Sequence, residues 1–308
     1  MSGKYLAFGL VVDSPIELPE AFLAEAGTAT DINVRYGKVG EELSKNESFN
    51  KAREARLWWR TVFDDKHTFF TCECGLFDIR NGDEITIQPY PDADVEHIRV
   101  FLLGLAMGAI QAQRGHIPIN GGAVITRNGA MIITGGKGSG KSTMNGAFIH
   151  NGYKYMSDDL SSIRIANETA DVIPAYPQRK LTRDTHVSSG FDLNDLTSQD
   201  VEHKIITISD HDNWRREPTK LWAIVELYPL NKEDSVSVML AEGHDKLSCV
   251  TRNLYNPWMY LPNGAMRPEV LKKILTIASQ AGIYRVGAPQ NIDNIADLAR
   301  DIALALEI

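Results

Sequence analysis

The 308-residue chain contains only three cysteines, Cys72, Cys74 and Cys249. They are too few for a disulfide framework, and the Cys-x-Cys pair has no second pair that would complete a zinc site. On a strand, Cys72 and Cys74 would point to the same face, where they could share a metal or simply pack beside each other. This cysteine usage fits a reducing cytoplasm.

The sequence also lacks an excess of positive charge and any long apolar run. Its formal net charge is −8 and its pI is near 5.5, which argues against a general electrostatic grip on nucleic acid or on an anionic membrane. The longest apolar run, residues 100–110, contains two glycines and falls short of the roughly 20 residues that cross a bilayer. We therefore expect a buried helix there, and neither nucleic acid nor a membrane as a partner. The N-terminus shows no signal-peptide pattern.

The spacing of apolar and turn residues divides the chain into two regions. Residues 1–92 are predicted to form a β-rich region with an Asn-Gly hairpin turn and a short helix around residues 51–59. Residues 93–308 are predicted to form an α/β domain that begins with a helix over residues 94–114. Two strands joined by a tight hairpin then lead into a glycine-rich loop.

The glycine-rich loop, GGKGSGKS, satisfies the pattern G-x-x-x-x-G-K-[ST], with a predicted strand before it and a predicted helix after it. Glycines let backbone N–H groups converge on phosphate oxygens, and the following helix adds its positive end. Lys141 is expected to reach the β and γ phosphates, and the Ser142 hydroxyl to bind Mg²⁺. Lys137 could contact phosphate or point to water. A chance glycine-rich turn is the alternative. The predicted nucleotide-binding residues are Gly135, Gly136, Lys137, Gly138, Ser139, Gly140, Lys141, Ser142 and Thr143.

An acidic pair, Asp158 and Asp159, follows the loop closely, at the predicted end of a strand over residues 153–157. Asp159 lies 18 residues after Lys141 (159 − 141). At the carboxyl edge of a strand near the phosphates, one aspartate could hold Mg²⁺ through water while the other accepts a proton from an attacking hydroxyl. A solvated turn, or a cap on the next element, is the alternative.

Four further segments surround the loop: FLLGLAMGAIQAQRGHIPINGGAV, GYKYMSDD, PAYPQRKL and VTRNLYNPWM. With the loop, they resemble the HPr serine kinase/phosphorylase family over residues 93–259, and most closely the HPr-kinase-related proteins found beside ribosomally made peptides, including lasso-peptide tailoring kinases. The resemblance implies a P-loop core related to phosphoenolpyruvate carboxykinase. It also implies ATP or another nucleoside triphosphate with Mg²⁺, transfer of phosphoryl to a serine hydroxyl, and a homo-oligomer.

The resemblance assigns roles to individual residues. Lys141 and Ser142 take the phosphate and metal roles, Asp158 becomes the general base, and Asp159 becomes its partner near the metal.

A basic group after the aspartates could neutralise charge on the transferred phosphoryl group. It consists of Arg179, Lys180 and Arg183, and the resemblance favours Lys180. Arg252 and Tyr255 could contact nucleotide or acceptor, although an aromatic residue at helical spacing more often belongs to a core.

Two features depart from the family. Asn120 stands where the family usually has a histidine, and an asparagine can orient a ligand by hydrogen bonds but cannot act as an acid or base. The C-terminal signature of the true HPr kinases is missing, so we expect an acceptor other than HPr.

The sequence thus predicts an ATP/Mg²⁺-dependent kinase acting on a serine-type hydroxyl of a peptide or protein, with a lasso-type precursor peptide as the specific candidate. A nucleotide-binding regulatory or peptide-recognition protein without transfer activity is one alternative. A small-molecule kinase is another.

Overall fold

In the computed structural model, the chain divides into two compact units, the first made of Met1–His116 and Asn256–Val270 and the second of Ile117–Tyr255 and Leu271–Ile308. The predicted division after residue 92 stays a prediction. Two large sheets and several helices make the protein a mixed α/β protein, which confirms the predicted class at that level. The structure describes residues 3–182, 196–200, 205–231, 234–261, 265–289 and 295–308, with the backbone alone for 180–182, 196–200 and 205–209.

Eight strands form the sheet of the first unit: β1 (Gly3–Ala7), β2 (Leu10–Ser14), β3 (Phe22–Leu23), β4 (Ile32–Tyr36), β5 (Trp59–Asp64), β6 (His67–Cys72), β7 (Gly75–Arg80) and β8 (Glu84–Pro89). Their order is β3-β1-β2-β4-β8-β7-β6-β5. Asn81 and Gly82 join β7 to β8 with φ of 57° and 74°. Two successive positive φ angles are typical of hairpin turns, so the predicted Asn-Gly turn is confirmed.

The helices of this unit begin with α1 (Glu47–Glu54), which starts earlier than the predicted helix around residues 51–59. Asn46 caps it, since its Oδ1 accepts a hydrogen bond of 2.9 Å from Phe49 N. The second half of the predicted segment does not extend the helix, and Trp59 instead begins β5. A 3₁₀ turn, Glu41–Leu43, precedes α1.

A continuous helix runs from Val95 to Gln113, composed of α2 (Val95–Phe101), a π-helical turn (Leu102–Ala106) and α3 (Met107–Gln113). Within the described ranges it is the one helix long and apolar enough to cross a membrane by length and composition, with a mean hydropathy of 1.3. The core helix of a globular protein meets the same criteria, and 61% of this one is buried. The buried helix predicted over residues 100–110 is therefore present.

The second unit contains β9 (Ile117–Thr126), β10 (Gly129–Gly135), β11 (Tyr155–Ser157), β12 (Leu160–Ala166), β13 (Thr169–Ile173), β14 (Gln178–Thr182), β15 (Leu196–Asp200), β16 (Ile205–Ser209), β17 (Thr219–Leu230), β18 (Ser237–Leu240) and β19 (Gly282–Pro289). The main sheet has the order β10-β9-β12-β13-β17-β19-β18, with β11 paired to β9 and β10 also paired to β17. Strands β14, β16 and β15 form a small separate sheet. The helices of this unit are α4 (Lys141–His150), α5 (Gly243–Arg252), most of α6 (Pro268–Gln280) and α7 (Ile295–Ala305), while a 3₁₀ turn at Pro257–Tyr260 belongs to the first unit.

Strand β10 determines where the glycine-rich loop lies. It pairs antiparallel with β9, as the predicted hairpin requires, and parallel with β17. Parallel strands have their carboxyl ends at the same edge of a sheet, and Gly135 at the end of β10 lies opposite Leu227 of β17. The chain therefore enters the loop at the edge where β17 also presents its carboxyl half.

Candidate nucleotide and phosphoryl-transfer site

The loop joins β10 directly to α4, in the order strand, loop, helix that the sequence predicts. Gly135 has φ 145°, and a Cβ on it would lie 2.5 Å from Leu227 O and 2.6 Å from Ser139 Oγ. Only glycine fits such a close approach to backbone. Gly138 and Gly140 also have positive φ, at 80° and 88°.

The amino end of α4 is open to an anion. Gly140 occupies the N-cap position and offers no side-chain cap, so the first N–H groups of the helix lack the partner that a Ser or Asp would supply. These donors and the positive end of the helix dipole suit a phosphate group. The direct nucleotide contacts of residues 135–143 stay a prediction. Lys137 is exposed, and both expectations for it remain open.

Lys141 folds back onto the loop. Its Nζ donates hydrogen bonds to Gly135 O at 2.9 Å and to Gly136 O at 3.1 Å. Burial lowers the pKa of Lys141, and the negative charge of Asp159 partly counters that effect. The ammonium therefore lies at the loop, where phosphate oxygens could replace the two carbonyls.

Nucleotide affinity should weaken at alkaline pH because of this lysine. Polyphosphate favours the protonated ammonium, so binding raises the pKa of Lys141. Affinity is then greatest below the pKa of the free protein, and it falls as the pH rises through that value, which lies below the usual ~10.4. Calorimetry in two buffers of different ionisation enthalpy should detect proton uptake on binding in this range. Uptake that persists in Lys141→Ala would contradict the assignment.

Asp158 and Asp159 directly follow β11, as the sequence predicts. Both β11 and β12 pair antiparallel with β9, so the two aspartates form a bend between two strands that share the same neighbour. Asp159 O accepts a hydrogen bond of 3.0 Å from Gly121 N, and Gly121 lies opposite Thr134 of β10. One strand thus separates the bend from β10, a span of about 10 Å.

Asn145 holds the Asp158 side chain and was not predicted from the sequence. Its Nδ2 donates to Asp158 Oδ1 at 3.1 Å and to Ser157 O at 3.3 Å. Asp158 is half-buried, whereas Asp159 is exposed. The available signal was one polar residue within the run of apolar and small residues from Met144 to Ile149.

Asn120 lies beside this bend. It pairs with Leu160, its N–H donates to Asn253 O at 2.9 Å, and its carbonyl accepts a hydrogen bond of 2.6 Å from Thr134 Oγ1. The backbone is therefore fixed on both sides while the side chain is exposed. An amide in this position can hydrogen-bond a ligand but cannot move a proton.

Glu226, in β17, binds two arginines near the end of the sheet where the loop begins. The sequence did not predict its role. Arg252 donates to both Glu226 oxygens, Arg285 Nε lies 3.2 Å from Oε2, and Asn253 Nδ2 donates to Oε1 at 2.8 Å. Burial opposes the charged carboxylate, but hydrogen bonds from Arg252 and Asn253 outweigh it and lower the pKa of Glu226. Burial and the charge of Asp159 raise the pKa of Tyr255, which remains a neutral phenol at physiological pH.

Arg179 and Lys180, two of the three predicted basic residues, lie on strand β14 rather than on a loop. Arg179 is 1% exposed, and its Nη1 lies 3.1 Å from Asp210 Oδ2. A buried ion pair of this kind serves the fold, so Arg179 is removed from the candidates for phosphoryl contact. Lys180 belongs to the same strand, but its side chain lies outside the described residues. Arg183 also lies outside them.

A second cluster of potential metal ligands occurs in the first unit. Glu42, His67 and Asp78 bring their ligand atoms within 4.8 Å of one another. Arg80 donates to Asp78 Oδ2 at 2.9 Å and to Glu42 Oε1 at 2.8 Å. The arginine already balances the carboxylates, so the cluster is an ion-pair network.

Cys72 and Cys74 are both buried, with their sulfurs 3.3 Å apart. They belong to no group of three potential metal ligands within the described part of the chain. This arrangement favours packing over metal binding.

Comparison with known proteins gives little guidance. No family model matches the chain, and no curated protein matches it. The solved structures include a weak match, the Hpr(Ser) kinase/phosphatase from Coxiella burnetii, with a TM-score of 0.32 and 13% identity over 62% of this chain and 99% of that chain. A likeness of this degree assigns neither fold family nor chemistry, so the HPr kinase-like core stays a prediction.

Proposed function

We propose that the chain is an ATP- and Mg²⁺-dependent kinase that transfers a phosphoryl group to a serine-type hydroxyl of a peptide or protein. The observation that supports it most is that α4, the helix that begins at Lys141 of the glycine-rich loop, also holds the Asp158 carboxylate. Lys141 Nζ hydrogen-bonds the loop carbonyls of Gly135 and Gly136, and Asn145, one turn further along the same helix, donates to Asp158 Oδ1 at 3.1 Å. A phosphate-binding loop beside a held carboxylate is the minimum that phosphoryl transfer to a hydroxyl requires.

The roles of the residues follow from their chemistry. The loop N–H groups and Lys141 bind the β and γ phosphates, while Ser142 and Asp159 supply oxygen ligands of the kind Mg²⁺ prefers. Mg²⁺, when bound, neutralises charge on the phosphates. Asp158 takes the hydroxyl proton while the acceptor oxygen forms its bond to the γ phosphorus and the bond to the nucleoside diphosphate breaks. Arg252, which hydrogen-bonds Glu226 opposite Thr134 of β10, is a candidate to offset charge on the transferred group, and Lys180 is retained as a candidate from the sequence.

A nucleotide-binding protein without transfer activity is the second candidate. Asn120 supports it, because the side chain beside the aspartate bend cannot shuttle a proton. Cytoplasmic localisation and a homo-oligomer remain predictions of the sequence, as does a lasso-type precursor peptide as the acceptor.

Mass spectrometry of candidate peptides incubated with protein, Mg²⁺ and ATP tests the proposal. Each transferred group adds about 80 Da, the mass of the phosphoryl modification, and fragmentation should locate it on a serine-type hydroxyl. Phosphorylation of small hydroxyl compounds alone would favour a small-molecule kinase. Tight nucleotide binding with no phosphorylated product in either screen would favour the binding protein.

A further inference from the structure

Asn145 lies on α4, one helical turn after Lys141, and its side chain is fully buried. An amide group has two hydrogens to donate, and the distances from Nδ2 assign one to Ser157 O and the other to Asp158 Oδ1. The same side chain therefore binds the backbone just before the aspartate bend and the carboxylate of the proposed base.

A glycine in β9 makes this contact sterically feasible. A Cβ on Gly122 would lie 2.5 Å from Asn145 Nδ2 and 2.7 Å from Asp158 O. Its absence lets both α4 and the bend approach the strand. Asn145 Oδ1 is buried and has no hydrogen-bond partner among the described residues. The two donor bonds therefore determine how the amide is oriented.

We propose that Asn145 is the positioning residue for Asp158 in phosphoryl transfer, an inference that rests on the proposed function. Because Asn145 binds Oδ1, rotation of the carboxylate about its Cβ–Cγ bond is restricted, so both carboxylate oxygens keep a defined orientation. Misplacement of a reacting group by about 1 Å can cost about 10²-fold in rate. The helix that begins at the phosphate loop thus also orients the proposed base. One rigid element therefore positions both the phosphate-binding groups and the group that accepts the hydroxyl proton.

Asn145→Asp is the sharpest test, because it keeps the shape and replaces the donor with an oxygen that repels Asp158. We expect kcat for transfer to fall about 10- to 100-fold, with the nucleotide Kd changed by less than about threefold. Asn145→Ala removes the donor without adding charge. It should also lower kcat while leaving the nucleotide Kd nearly unchanged. Asn151→Asp is the matched control at the opposite end of α4, where Nδ2 donates to Ala296 O at 2.9 Å. It should leave kcat unchanged.

The outcomes separate this inference from the function on which it rests. If the wild-type protein phosphorylates an acceptor and both Asn145 variants keep kcat within about twofold, the positioning role is wrong and the proposed function stands. A joint loss of melting temperature and nucleotide affinity with unchanged kcat would show a purely structural role and also overturn the inference. If the wild-type protein binds nucleotide but phosphorylates nothing, the proposed function is wrong and the role of Asn145 falls with it.

Discussion

Asp158→Asn is expected to reduce phosphoryl transfer by about 10²- to 10⁴-fold, the range that a general base contributes. The variant should fold and bind nucleotide normally, since an amide oxygen at the same position can still accept the hydrogen bond from Asn145. Steady-state transfer to the acceptor, with nucleotide affinity measured in parallel by calorimetry, checks both parts. The loss should appear in kcat rather than in nucleotide binding.

A matched control for this variant is Asp171→Asn, which makes the same change on β13, where Asp171 forms an ion pair with Arg164. It should transfer at the wild-type rate. Transfer by Asp158→Asn within about threefold of wild type would reject Asp158 as the base and direct attention to Asp159, which the sequence alone left as an alternative.

Asp210→Ala is expected to lower the free energy of unfolding by about 3–5 kcal/mol, the cost of removing one partner from a buried ion pair. It removes the Asp210 carboxylate, which lies 3.1 Å from the Arg179 guanidinium, and that guanidinium is 1% exposed. The change also removes the oxygen that accepts hydrogen bonds from Asn213 N and Nδ2. Urea unfolding, followed by a spectroscopic probe in the second unit, would measure the change. The urea concentration at the midpoint should fall while the dependence of the unfolding free energy on urea concentration stays the same.

The same chemistry at the surface provides the control. Asp92 and Arg56 form an ion pair of 2.8 Å, but both side chains are exposed, so Asp92→Ala should be nearly neutral because water screens such pairs. Unchanged stability in Asp210→Ala combined with a lower kcat would return Arg179 to the list of residues that contact the phosphoryl group.

The sequence predicted the parts of the site that depend on local structure. The β9–β10 hairpin, the glycine-rich loop and the start of α4 at Lys141 follow one another along the chain, and their residues specify turn, loop and helix directly. The helix that ends before Gly115 and the Asn-Gly turn were predictable for the same reason. Local signals of this kind do not require knowledge of which strands become neighbours.

The parts that the sequence did not predict depend on distant pairings. Asn145 of α4 reaches Asp158 because β11 and β12, which both pair with β9, place the aspartate bend beside that helix. Glu226 reaches the site because β17 pairs with β10. The sequence predicted Arg179 as a cation on a loop, whereas the structure pairs it with the buried Asp210, 31 residues later in the chain. No periodicity or motif within a short window contains this information.

The parallel pairing of β10 with β17 has a consequence for how the protein is made. Ala130 pairs with Leu221, 91 positions later (221 − 130), so the strand that carries the loop acquires this neighbour only after most of the second unit has been synthesised. Contacts of such long range form slowly, because a large loop of chain must close before they stabilise anything. At about 5–20 residues per second, a ribosome needs several seconds to synthesise the intervening segment. During that interval the hairpin can form while the glycine loop is still unsupported, so any nucleotide that the loop binds would stabilise the protein only late in folding.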